Sequence, residues 1–98
     1  MILKHEDLNR ADYLILTTLY AAECRDYFHS MTINEIIADN SDEDGNHPLG
    51  ARMTIYKRMQ KLVGKGYLQK AIMDDHADTY CITDKTVKLF EGGAAHES

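Results

Sequence analysis

One stretch constrains the fold of this chain more than any other: residues 51–70 carry Arg52, Lys57, Arg58, Lys61, Lys65 and Lys70 and no acid. Within it Ile55, Met59 and Leu62 recur at i, i+4 and i+7, the spacing of one face of an α-helix. Thr54, Lys57, Arg58 and Lys61 repeat at the same interval on another face, close to the opposite side. Gly64-Lys65-Gly66 follows, and either glycine can adopt the left-handed conformation that ends a helix. The pattern predicts a helix over 51–63 whose apolar side needs a core and whose cationic side faces water. The stretch carries a charge of +6 in a chain of 98 residues with a net charge of −5; residues 1–50 sum to −7 and 71–98 to −4. A polyanion responds to that local density, within a Debye length of ~8 Å, rather than to the overall sum. The plainer alternative is a solvated charged face neutralised by partners elsewhere in the chain.

The rest of the chain supplies elements to cover the apolar side. Asn9 or Asp7 can cap a first helix over 10–27, with Ala11, Leu14, Ile15, Thr18, Leu19 and Ala22 inward. Leu16 and Tyr20 lie off that stripe, which leaves two readings: a second contact surface such as a homodimer through helix 1, or a Tyr covering the core edge. Thr32-Ile33-Asn34-Glu35 reads as a capping box, with Met31 and Ile36 as the accompanying hydrophobic staple. It opens a short second helix that buries Ile33, Ile36 and Ile37 and ends near Asp39 and Asn40. Residues 40–50 form a polar loop with Gly45 and Pro48, long for a connection between packed helices. Strands are expected over 67–73 and 79–82 around a turn at 74–78. Thr83 can then cap a last short helix holding Val87 and Phe90. The expected fold is α+β, mainly α, with a three-helix core, a β-hairpin and a short C-terminal helix. It occupies residues 1–92 as one domain, followed by a flexible tail over 93–98.

That order, together with the run from Thr54 through Lys61-Leu62-Val63-Gly64-Lys65-Gly66 to Tyr67-Leu68, resembles the winged helix-turn-helix transcriptional regulators of the MarR and PadR types. Leu62, Gly66, Tyr67 and Leu68 match the end of their recognition helix and the start of their wing. Tyr80-Cys81-Ile82-Thr83-Asp84-Lys85 is similar to their return strand and the Thr before the next helix. The resemblance implies double-stranded DNA as partner, with the third helix in the major groove and Arg52, Thr54, Tyr56, Lys57, Arg58 and Lys61 facing it. Arg52 or Tyr56 is placed to read bases, while Lys57, Arg58, Lys61 and Lys65 are placed for phosphates. The chain departs from the pattern in its wing, where Asp74, Asp75 and Asp78 stand and no Arg is found, so the wing is assigned no DNA contact. It also has the longer 40–50 loop and lacks a long C-terminal dimerisation helix. The acidic wing and overall charge motivate the alternative of a winged-helix module that binds a protein partner without touching DNA.

Other chemistries find little support. Asn40-Ser41-Asp42-Glu43-Asp44-Gly45 has the front of a calcium loop, but its twelfth position is Ala51 where a bidentate Glu belongs. His5, His29, His47, His76 and His96 form no i, i+4 pair, and Cys24 and Cys81 read as buried apolar side chains. A metal sensor built from Cys24, His29 and Cys81 has no positive support, so no metal or cofactor is expected. No phosphate loop or nucleophile motif is present, and so no enzyme activity is expected. No apolar run approaches the ~20 residues of a membrane span, and residues 1–7 are too short and charged for a secretory signal. A cytoplasmic location is the resulting expectation.

Overall fold

The computed structural model describes residues 8–73 and 78–97, with side chains through Glu91. Helix α1 (Arg10–Ala21) starts at Asn9 in a reciprocal capping box: the Asn9 side-chain Oδ1 accepts from the Asp12 backbone amide at 2.9 Å, and the Asp12 carboxylate accepts from the Asn9 backbone amide at 3.0 Å. The helix is six residues shorter than the expected 10–27, because the chain turns out of it at Glu23, with φ of 58°. There the Glu23 amide donates to the Tyr20 carbonyl at 3.1 Å and the Cys24 amide to the Leu19 carbonyl at 2.9 Å. These two bonds make a Schellman cap, which usually places Gly where Glu23 stands. The Glu carries no glycine signal, so the end of the helix is invisible to pattern reading. Inside α1 the buried stripe is Asp12, Ile15, Leu16, Thr18 and Leu19, so Leu16 belongs to the core while Ala22 is exposed.

After the turn a two-residue strand β1 (Met31–Thr32) runs directly into α2 (Ile33–Asp39). The Thr32–Glu35 capping box forms as read, with the Thr32 hydroxyl accepting at 3.1 Å and the Glu35 carboxylate accepting at 2.8 Å. Strand β1 is absent from the sequence expectation because two residues are too few to show a period of two. Asn40, at the end of α2, donates its side-chain amide to the Ile36 carbonyl and to the Thr18 hydroxyl, both at 2.9 Å, which ties α2 to α1. The 40–50 loop is anchored by buried Leu49, and the Asp42 carboxylate accepts the amides of Asp44 and Asn46 within its own turn.

Helix α3 (Arg52–Gly64) packs Ile55, Met59 and Leu62 into the core. It ends in a second Schellman cap, in which the Tyr67 amide donates to the Leu62 carbonyl at 2.9 Å and Gly66 takes φ of 87°. Strands β2 (Leu68–Lys70) and β3 (Thr79–Ile82) follow, and β2 is shorter than the expected 67–73. The sheet order is β1-β3-β2, antiparallel throughout, with Met31 opposite Tyr80 on one side and Leu68 opposite Ile82 on the other. Central β3 is therefore buried along its whole length.

The last helix, α4 (Asp84–Glu97), grips the turn that leaves α3. Thr83 Oγ1 donates to the Gly66 carbonyl at 2.5 Å, Lys85 Nζ to the Lys65 carbonyl at 2.8 Å, and Thr86 Oγ1 to the Tyr67 carbonyl at 2.5 Å. Three successive carbonyls at the carboxyl end of α3 thus receive donors from one four-residue stretch. The α4 backbone stays helical through Glu97, past the point where the sequence suggests a tail from residue 93. A nucleated helix gains a hydrogen bond with each added residue, which carries it through Gly92-Gly93 at about 1 kcal/mol per glycine into Ala94-Ala95, the best helix formers. Among the described residues no helix is long and apolar enough to cross a membrane.

Candidate nucleic-acid interface

The exposed surface of α3 divides into three lines, each set by the 3.6-residue helical repeat. Met53, Lys57 and Lys61 lie four residues apart on the outward side and are all exposed, Met53 by 64%. Arg52, Tyr56 and Gln60 form a flank that faces α2 and the sheet: Arg52 Nε donates to Asn34 Oδ1 at 3.0 Å, and Gln60 Nε2 donates to the Tyr80 hydroxyl at 2.9 Å. Thr54 and Arg58 form the other flank, which faces α1. Thr54 is exposed; Arg58 is not.

Arg58 stands apart from the expected contact set. Its Nε donates to Asp12 Oδ1 at 2.9 Å, and its Nη2 donates to Asp12 Oδ2. The Arg58 side chain is 22% exposed and that of Asp12 is 0%. The reason is angular: at 100° per residue Arg58 lies roughly 70° from the centre of the Ile55–Met59–Leu62 stripe, whereas Lys57 lies about 170° from it. Arg58 therefore reaches over the rim of the core to α1 instead of projecting outward. The hydrogen bonds it donates to Asp12 push the guanidinium pKa up, against the opposing effect of desolvation. The sequence held a signal for this pair. Asp12, Ile15, Leu16 and Leu19 share one helical stripe, and a carboxylate on an apolar stripe calls for a hydrogen-bonding partner there, a cation above all.

The remaining expected residues stay on the surface. Lys57 and Lys61 are exposed, and neither pairs with a carboxylate among the described residues. Tyr56 is 40% exposed, and Lys65 is half-buried at the turn after α3. The amino end of α3 is capped by Ala51, which offers no side-chain acceptor, so the positive end of the helix dipole is uncompensated by a cap. Beside it a cleft of about 260 Å³ runs between Asn34, Arg52, Tyr56, Asp78 and Tyr80. Just before β3, Asp78 pairs with Lys70 of β2 at 3.5 Å, while Asp74 and Asp75 lie outside the described residues.

A second surface was not anticipated. Tyr27, Phe28, Ile72 and Met73 are 53%, 74%, 40% and 61% exposed. The rings of Tyr27 and Phe28 meet edge-on at 5.3 Å, and the Ile72 amide donates to the Tyr27 carbonyl at 3.4 Å, which brings the two exposed apolar segments side by side. Tyr27 would have been recognised as a loop residue only with the helix end at Glu23 in view. The side chains behind the dimer expectation are used inside the chain: Leu16 is buried, and the Tyr20 hydroxyl donates to Glu91 at 2.6 Å while its ring packs on Phe90 at 4.8 Å. Cys24 and Cys81 are both buried free thiols, and burial pushes both pKa values up. His29 is exposed and pairs through Nδ1 with Asp26 at 2.8 Å. No protein-family model matches the chain, and no curated protein shows detectable similarity to it.

Proposed function

We propose that this chain is a winged-helix DNA-binding regulator that lays α3 in the major groove of double-stranded DNA. The observation that carries the reading is the outward line of α3, where Lys57 and Lys61 stand exposed with no carboxylate partner among the described residues. Arg52 and Lys65 extend the cationic track to either end of the helix, and no acid interrupts residues 51–70. A helix of about 10–12 Å diameter fits the major groove, and lysines at that spacing release counterions from phosphates. The helix order and the three-stranded antiparallel sheet support the winged-helix assignment. Function on this reading is binding without chemistry, in the cytoplasm, with Arg52, Thr54, Tyr56, Lys57, Lys61 and Lys65 as the contact set. Arg58 holds the helix in place and is left out of it.

The test is fluorescence anisotropy with a labelled duplex at low salt, comparing the wild type with Lys57→Glu/Lys61→Glu. Both substituted sites are exposed, so the variant keeps its fold. The expected result is binding by the wild type and at least a tenfold loss in the variant; equal binding by the two proteins would overturn the reading. A second reading, a winged-helix module that docks on a protein, is favoured by the exposed apolar side chains of Tyr27, Phe28, Ile72 and Met73. A complex that survives high salt, carries no nucleic acid and is lost in Phe28→Asp would select it.

A further inference from the structure

We infer that Asn34, on α2, is a positioning residue that presents Arg52 to a guanine, which makes this pair the specificity determinant of the interface. The inference rests on the DNA-binding reading and deepens it by choosing one base-reading residue and one base. Arg52 is the first residue of α3, exposed at the helix end that enters the groove most deeply in helix-turn-helix docking. A free arginine there would sample many rotamers. Here Nε is held by Asn34 Oδ1 at 3.0 Å, and Asn34 is itself fixed in the first turn of a helix locked by the Thr32–Glu35 capping box.

The chemistry of the remaining donors identifies the base. With Nε occupied, the two terminal amino groups form a fork of two parallel N–H donors. In the major groove only guanine offers two adjacent acceptors, O6 and N7, to such a fork; adenine places a donor beside N7, and the pyrimidines show one acceptor or none. The competing acceptor nearby is Asp78, which lines the same cleft but is paired with Lys70 at 3.5 Å. Tyr56 sits one turn further along on the same flank and has no comparable brace from α2 among the described residues. Asn34 carries no charge, so its contribution shows up as discrimination between bases and not as bulk attraction to DNA.

The experiment is selection from a duplex library with a randomised 20-base-pair core, using the full chain, followed by anisotropy on the enriched duplex and on the unselected pool. The wild type is expected to enrich a motif with one invariant guanine, preferred by about tenfold or more over the other bases, and to lose that preference when the guanine is replaced by 7-deazaguanine. Arg52→Lys keeps the charge and loses the fork, so its guanine preference should be gone. Asn34→Ala should lower the preference severalfold at unchanged salt dependence. Asn34→Asp keeps the acceptor and should restore the preference, at a lower overall affinity from repulsion by phosphate. Unchanged guanine preference in Asn34→Ala, or a wild-type motif without guanine, overturns the inference and leaves DNA binding standing. Failure of the wild type to retain any of the pool at low salt overturns both.

Discussion

Replacing Arg58 by Met keeps the aliphatic stem of the side chain and removes its charge, which isolates what the ion pair with Asp12 contributes. In the variant the Asp12 carboxylate, 0% exposed, retains one donor, the Asn9 amide at 3.0 Å. Removing one partner of a buried pair costs about 3–5 kcal/mol, because the other charge is left uncompensated in a medium of low polarity. Arg58 is itself 22% exposed, so water reaches the edge of the site and the expected cost is the lower value, about 3 kcal/mol. Against a total of about 5–15 kcal/mol for a domain of this size, that is a large fraction. The urea midpoint, followed by circular dichroism at pH 7, should fall by roughly 2 M for a slope near 1.5 kcal/mol/M. The double variant Asp12→Asn/Arg58→Met removes the stranded charge and keeps an acceptor for the Asn9 amide. It should recover most of the loss, leaving a deficit of about 1 kcal/mol. A single variant as stable as the wild type, or a double variant as damaged as the single, would refute the assignment of Arg58 to the core. A second refutation is independent of stability. Where the variant is folded, its DNA affinity should keep the wild-type salt dependence, and a slope reduced by about one unit would make Arg58 a phosphate contact.

Three further outcomes follow from the same structure. With Lys57, Lys61 and Lys65 on the phosphates, the logarithm of affinity should fall with the logarithm of salt at a slope of about −2.7, a loss of roughly 40-fold between 50 and 200 mM, and Lys57→Ala should flatten it by about 0.9 in an anisotropy titration. Glu23→Gly should raise stability by up to about 1 kcal/mol in the same urea assay, because Glu23 holds φ of 58°, whereas Gly66→Ala should lower it by about 1 kcal/mol or more for the converse reason, since a Cβ there meets only Lys85 Cδ at an ordinary 3.7 Å. The thiols of Cys24 and Cys81 have folded pKa values raised by burial, so the folded state keeps protons that the unfolded chain releases. Stability is therefore full below the unfolded thiol value and declines as pH rises past about 8.5; thermal melts at pH 7, 9 and 10 should show the drop, and Cys24→Ala/Cys81→Ala should flatten it.

The elements that could be read from the residues are those whose signals are local. The Thr32–Glu35 box closes within four residues, the Ile55–Met59–Leu62 stripe repeats within one helix, and Gly66 marks its turn by having no Cβ. What escaped depends on partners distant in the chain. The end of α1 is made by Glu23 in a conformation that its side chain disfavours, held by Cys24 landing in the core. Strand β1 exists because β3 pairs with it, Met31 with Tyr80 and Thr32 with Thr79, far apart in the sequence. The charge pattern of α3 located the cationic face but treated Arg58 and Lys57 alike. Only the packing angle between α1 and α3 separates the residue that meets Asp12 from the one that meets solvent.

The grip of Thr83, Lys85 and Thr86 on the carbonyls of residues 65–67 makes α3 a cantilever. Its carboxyl end is bolted to α4 and its flank to α1, while its leading end is moored to α2 by the exposed Arg52–Asn34 bond. At 1.5 Å per residue the 13-residue helix is about 20 Å long, so a tilt of about 5° at the bolted end carries Arg52 through roughly 2 Å. On the DNA-binding reading, that travel is enough to break a hydrogen bond to a base edge, so the anchorage on α4 would set how steadily the leading end of α3 is held against a duplex.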